Sequence, residues 1–164
     1  MSQPGYGSEK DLLVAKLDAQ REHILGALEG LTDEQLRRPV LPTGWSCLGL
    51  VQHLTQDVEL LWFAQVFAGQ PAEHAGGGWN VAPGTAADDI LGGYRAATKQ
   101  ANEIVAAHDL TDIPAAWPDG MFGDWRLHDL RQMMLHVLTE TACHAGHLDA
   151  ARELLDGQTW LILT

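Results

Sequence analysis

Apolar residues recur along this chain at intervals of three and four, the spacing that lines one face of a helix. The first run, Leu13, Leu17, Ile24, Leu28 and Leu31, predicts a helix beginning near Ser8, whose hydroxyl suits an N-cap. "TDEQ" at 32–35 is a capping-box pattern and predicts one short turn before Pro39. A second helix is expected after "PTGWS", capped by Ser46 and running to about Gly69. Pro71 and the "GGG" at 76–78 then mark a loop. "PGTAAD" opens a third helix, with Thr85 as its cap and Ile90, Leu91, Tyr94, Ile104 and Val105 pointing inward. The connection "DLTDIPAAWPDGMFGDW" leads to a fourth, predicted from about Arg126 to Asp156 and stopped by Gly157. No stretch alternates as a strand would, and no internal repeat is present. Four helices with one apolar stripe each predict an all-α, single-domain four-helix bundle over 1–164. Its long connections free it from simple up-down topology.

Several ionisable residues fall where this pattern calls for leucine. On a wheel of about 100° per residue with His136 at zero, Glu140 lies near 40°, His144 near 80° and His147 near 20°. Met133, Ala151 and Leu154 share that sector, between about 0° and 60°. The polar row is therefore expected to interrupt the buried stripe. In the second helix Leu50, Leu54 and Leu61 define the inner face, and His53 and Asp57 fall in or beside it. Such groups need partners when buried, and a divalent cation would satisfy several at once. A Glu and a His four apart are otherwise an ordinary helix pair, worth about 0.2–0.5 kcal/mol. The match between two helices is what points to a metal site.

Charge and composition narrow the function. Ten basic against 22 acidic residues give a formal net charge of -12, which repels nucleic acid and anionic membranes alike. "MSQPGYGSEK" lacks a signal-peptide pattern, and no run approaches the roughly 20 apolar residues that span a bilayer. Cys47 and Cys143 alone imply no disulfide framework, so a cytoplasmic protein is expected.

"GWSCLGLVQHL" (44–54) followed by "LHVLTETACHAGHLDAARELLDG" (135–157) resembles the DinB-like superfamily. Within it the likeness is to mycothiol-dependent S-transferases, relatives of bacillithiol transferases and of mycothiol-dependent maleylpyruvate isomerase. It runs over nearly the whole chain in helix order. The resemblance implies a DinB-like four-helix bundle with unusual connections and a divalent metal at one end. Carried over, the ligands are His53 of the second helix and the pair Glu140 and His144 of the fourth. Many relatives have histidine where Glu140 stands, which leaves open whether Glu140 or His147 completes the set. Zn2+ is the metal the resemblance implies, and Ni2+, Fe2+ or Mn2+ suit similar donors. Three protein ligands would leave a position where an entering thiol loses its proton. The thiol so implied is mycothiol, a neutral, hydroxyl-rich pseudodisaccharide that an acidic surface does not repel.

Two further residues are candidates for catalysis. Asp57, one turn after His53, is placed to orient a ligand imidazole, or else pairs with a base. His136, one turn before Glu140, is a proton relay or a buried structural histidine. Cys47 lies where a helix dipole lowers a thiol pKa, yet packing is the better reading for it and for Cys143. Trp45, Trp62 and Trp125 are candidate pocket walls. Arg131 and Arg152 are substrate or structural contacts, with solvated helix charge as the default. His23, His74, His108 and His128 are expected at the surface.

The leading expectation is a metal-dependent thiol S-transferase that conjugates a small electrophile in detoxification or biosynthesis. A maleylpyruvate-type isomerase is the second, favoured by Glu140 and disfavoured by a chain ending eight residues after Asp156. A non-catalytic metal- or ligand-binding stress protein is the third. The apolar tail "QTWLILT" is expected to pack on the bundle or in a homodimer contact.

Overall fold

The computed structural model describes residues 7–71, 77–118 and 120–160, and every regular element within them is helical. Helix α1 spans Glu9–Gly26, α2 Asp33–Arg37, α3 Cys47–His53, α4 Ala87–Ala106 and α5 Leu130–Asp156. Helix α3 runs without a break into a π-helical stretch, π1, over Leu54–Phe67. Its i→i+5 bonding closes with the Ala68 N–H on the Phe63 carbonyl at 3.0 Å.

Local chemistry sets most of the boundaries. Ser8 accepts from the Asp11 N–H at 3.1 Å, and Ser46 accepts from the Gly49 N–H at the same distance. Thr32 and Gln35 cap each other's backbone at 3.2 and 2.9 Å, the reciprocal box. Gly157, at φ 77°, ends α5 in the left-handed region.

Two starts differ from expectation. Helix α4 begins at Ala87 after Ala86, with no side-chain cap. Thr85 is committed elsewhere: its N–H turns back to Ala82 and its carbonyl accepts from Arg37 at 2.7 Å. Helix α5 begins at Leu130, not near Arg126, because Asp129 caps it by accepting from the Gln132 N–H at 2.8 Å. The Leu130 and Arg131 N–H groups, orphans of the first turn, donate to Asp112 and Leu110 carbonyls of the preceding connection.

Around the bundle the order is α1, α5, α3–π1, α4, with α4 returning to α1. Helices α1 and α3 are therefore diagonal although only the short α2 separates them in sequence, which is the unusual connectivity expected. Leu17, Ile24, Leu50, Phe63, Tyr94 and Leu148 form the fully buried centre. No helix among the described residues is long and apolar enough to cross a membrane.

The buried face of α5 corrects the wheel. Leu130, Val137, Thr141, Leu148 and Leu155 are buried and centre near 120° on the scale used above. Met133 and Ala151, at about 60°, are the edge of that face and not its middle. Leu154 is 59% exposed. His136, Glu140 and His144 thus border the apolar stripe half-buried, and His147 is exposed.

Polar groups do enter the core elsewhere. Arg21 of α1 clasps Glu59 of π1 with two bonds of 2.7 and 2.6 Å, both side chains almost wholly buried. Arg21 also donates to Asp18 at 2.8 Å and to Asn102 of α4 at 2.7 Å. Burial pushes the Glu59 carboxyl upward, and the Arg21 charge opposes it. Arg152 is a structural contact and not the solvated charge taken as the default: it is buried and donates to the Ala27 and Glu29 carbonyls at 2.9 and 2.7 Å. His23 is likewise buried, 2.7 Å from Asp149 and stacked on Trp160, so it is not a surface histidine. Of the other three, His128 is exposed and His108 half-buried, while His74 lies outside the described residues, as do 161–164 of the tail.

Candidate functional site

The Ser46 cap fixes where α3 begins, and one turn along its continuation His53 and Asp57 meet. His53 Nδ1 lies 2.9 Å from Asp57 Oδ2. A carboxylate accepts only, so Nδ1 carries the proton and Nε2 is left as the free ring nitrogen. The same Asp57 oxygen accepts from the Gly78 N–H at 3.2 Å. Gln52 Nε2 holds that loop down through the Gly78 and Asn80 carbonyls, at 2.7 and 3.1 Å. Trp79 then stacks on the His53 ring, centroids 4.2 Å apart and planes 18° from parallel.

Glycine is required for this approach. A Cβ at Gly78 would lie 2.6 Å from His53 Cα and 2.9 Å from Asp57 Oδ2. One at Gly49, in the first turn of α3, would lie 2.4 Å from the Trp79 carbonyl oxygen. Gly78→Ala is accordingly expected to push the loop off His53 and to unstack Trp79 from its ring, which a change in tryptophan fluorescence would report. Unaltered fluorescence would show that the close approach is not needed.

Helix α5 faces this assembly. The His144 ring meets His53 edge-on at 5.2 Å and 78°, and lies 5.7 Å from Trp79. Burial first, then the neighbouring His53, pulls the His144 pKa down to about 4, so its imidazole is neutral at neutral pH. Its Nε2 is 3.6 Å from Glu140 Oε2, too long for a hydrogen bond. Its Nδ1 is 3.3 Å from Nδ1 of the exposed His147, whose ring leans on Trp45. His136 stands edge-on to Trp62 at 4.9 Å, and burial lowers its pKa with Glu140 opposing.

The structure thus brings His53, Asp57, His144 and Glu140 to one place and sets His136 beside them. His147 sits at the rim. Among the described residues no group of three or more His, Cys, Asp and Glu side chains is arranged so that it could hold a metal ion. The donor types nonetheless fit one: two imidazoles from different helices and a carboxylate one turn away are what a divalent ion such as zinc takes.

A cavity of about 670 Å³ opens beside these groups, within the usual range for small-molecule sites. One wall is the α3–π1 helix. Its wide winding lengthens the repeat of facing side chains, and His53, Asp57, Val58, Leu61, Trp62 and Gln65 all reach the cavity. The opposite wall is the connection before α5, through Pro118, Met121, Phe122 and Trp125. From α5, Glu140 beside His144 and His136 against Trp62 and Trp125 complete the lining. Trp62 and Trp125 line the cavity as expected; Trp45 packs near Trp79 and His147 outside it.

A family model described as Mycothiol-S-transferase matches residues 12–157 of the 164, all four long helices but for the first turn of α1. The chain belongs to the mycothiol-S-transferase family. No curated protein and no solved structure matches it. Membership implies mycothiol S-transferase chemistry with mycothiol as the small-molecule thiol.

Within this mycothiol-S-transferase family member neither cysteine belongs to the cavity. Cys47 is 2% exposed, and burial pushes its thiol up to about 11, against the lowering a helix N-terminus would give. Cys143 is exposed, which corrects the packing role expected for it. Iodoacetamide at pH 8 should therefore label Cys143 alone in the folded protein, with Cys47 reacting only after denaturation, as read by peptide mass spectrometry. Rapid native labelling of Cys47 would restore it as a nucleophile.

Sequence reasoning missed Gly78, Trp79, Gln52, Phe122 and Met121. One signal was present: Gly49 costs a helix about 1 kcal/mol relative to alanine, which close approach of another backbone explains.

Proposed function

We propose that the protein joins mycothiol to a small electrophile in a divalent-metal-dependent S-transfer. The observation that carries this reading is the edge contact of His53 and His144, two rings from separate helices, at the end of a preformed apolar cavity. His53, His144 and Glu140 would hold the ion, which when bound supplies the positive charge that keeps the sulfur deprotonated. Zn2+ suits these donors best.

The chain's own residues do the rest. Asp57 and the Gly78–Trp79 loop fix the His53 ring so that Nε2 is the nitrogen presented. His136, kept neutral by burial, accepts the thiol proton on a ring nitrogen. The Trp62 and Phe122 side gives the sulfur and its target an apolar wall. A carbon–sulfur bond then forms while the leaving group departs with its electron pair. With an unsaturated electrophile, the proton returns to the neighbouring carbon instead.

The test is incubation with mycothiol and monochlorobimane, with and without chelator, reading the fluorescent adduct. Adduct formation that chelation removes and Zn2+ restores is the expected result. Absence of metal-dependent adducts with mycothiol, bacillithiol, glutathione and coenzyme A would replace this reading with a non-catalytic binding protein. Turnover of maleylpyruvate without adducts would favour the isomerase.

A further inference from the structure

The cavity has two chemically distinct regions. His53, Asp57 and Glu140 make one polar, while His136 stands between them and the rings, edge-on to Trp62 at 4.9 Å and 5.2 Å from Trp125. The rest is apolar: Leu61, Val58 and Met121 with the rings of Trp62, Phe122 and Trp125, relieved only by Gln56 and Gln65. These rings pack on one another, Trp62 stacked on Phe122 at 5.3 Å and 27°, and Trp125 edge-on to both at 5.9 and 5.6 Å. Trp125 is 44% exposed and Met121 61%, so a surface of this size and polarity stays in contact with water. That is costly for so apolar a patch unless something flat covers it.

Charge sharpens the choice of occupant. Among the described residues the cavity is lined by two carboxylates, Asp57 and Glu140, and by no lysine or arginine. The guanidinium of Arg126 lies over Trp117 at 5.1 Å and does not line the cavity. An anion entering here would lose its hydration against acidic neighbours with no counter-charge. A hydroxyl-rich sugar would bury several donors against rings that accept none well.

We infer that the Trp62–Phe122–Trp125 end is the subsite of the second substrate, and that this substrate is a neutral, flat, conjugated or aromatic electrophile rather than an anionic one. The inference rests on the S-transfer reading in calling the occupant an electrophile. The polar end then keeps the sulfur, and the aromatic end holds the carbon it attacks.

Calorimetric titration of the whole protein with 1,3-dinitrobenzene and with 3,5-dinitrobenzoate tests it without needing turnover, since the two share a ring and differ by one carboxylate. The neutral ring is expected to bind at least about tenfold more tightly, and Trp125→Ala to weaken it about tenfold, as loss of a stacking partner does. Phe122→Ala should act in the same direction. Equal or tighter binding of the carboxylate, or neutral-ring binding indifferent to both substitutions, would overturn the subsite. If 1,3-dinitrobenzene binds as stated while no thiol yields an adduct with 1-chloro-2,4-dinitrobenzene or monochlorobimane, the transfer reading fails and the subsite's ligand class stands.

Discussion

His53→Ala is expected to lower mycothiol conjugation by about 100-fold or more while leaving the helical content intact. The side chain is not part of the hydrophobic core cluster, so its loss leaves the core packing in place. What it removes is the ring that Asp57 holds by Nδ1, that Trp79 covers and that His144 meets edge-on. Asp57→Asn should follow at about 10- to 100-fold, the usual cost of losing a carboxylate that orients an imidazole. Bimane adduct rates, zinc content and far-ultraviolet circular dichroism measured together decide the matter. A fully active His53→Ala protein would remove the site.

Arg21→Ala should destabilise the fold by about 3–5 kcal/mol, because it strands the Glu59 carboxylate in the core. Glu59 is 1% exposed and has two bonds to Arg21, and Arg21 also ties Asp18 and Asn102. Replacing both partners, Arg21→Met with Glu59→Leu, should recover most of the loss, since the burden lies in the unpaired charge. Tyr94 offers a contrast nearby. Its hydroxyl is buried with no partner among the described residues, and burial followed by the Glu59 charge pushes its pKa well up. Tyr94→Phe should therefore shift stability by less than about 0.5 kcal/mol. Urea midpoints supply the comparison. An Arg21→Ala loss no larger than that of a surface change would mean the pair is open to water.

Features governed by neighbouring residues were legible in the sequence. Ser8, Thr32 with Gln35, Ser46 and Gly157 set boundaries through bonds that span three or four residues. Thr85 misled because a distant group, Arg37, took its carbonyl, whereas near Arg126 the start is set by a local cap three residues further on, Asp129, which the apolar pattern did not single out. The wheel on α5 placed His136, Glu140 and His144 on one side but mistook the rim of the buried face for its centre. On π1 a 100° step no longer applies, so neither the inward Glu59 nor the cavity pair Leu61 and Trp62 followed from it. The loop over His53 was invisible for a different reason. Its glycines announce flexibility, whereas their role is to let two backbones touch.

The carbonyls at the end of π1 point to one more property. Phe67 and Val66 accept from the Ala115 and Ala116 N–H groups at 2.9 and 3.0 Å. A widened helix leaves its last carbonyls unpaired, and here the connection that carries Phe122 and Trp125 is what satisfies them. The two sides of the hollow are therefore riveted to each other by main chain. A guest entering it meets two walls already tied together, so less of the cost of shaping the site falls on binding.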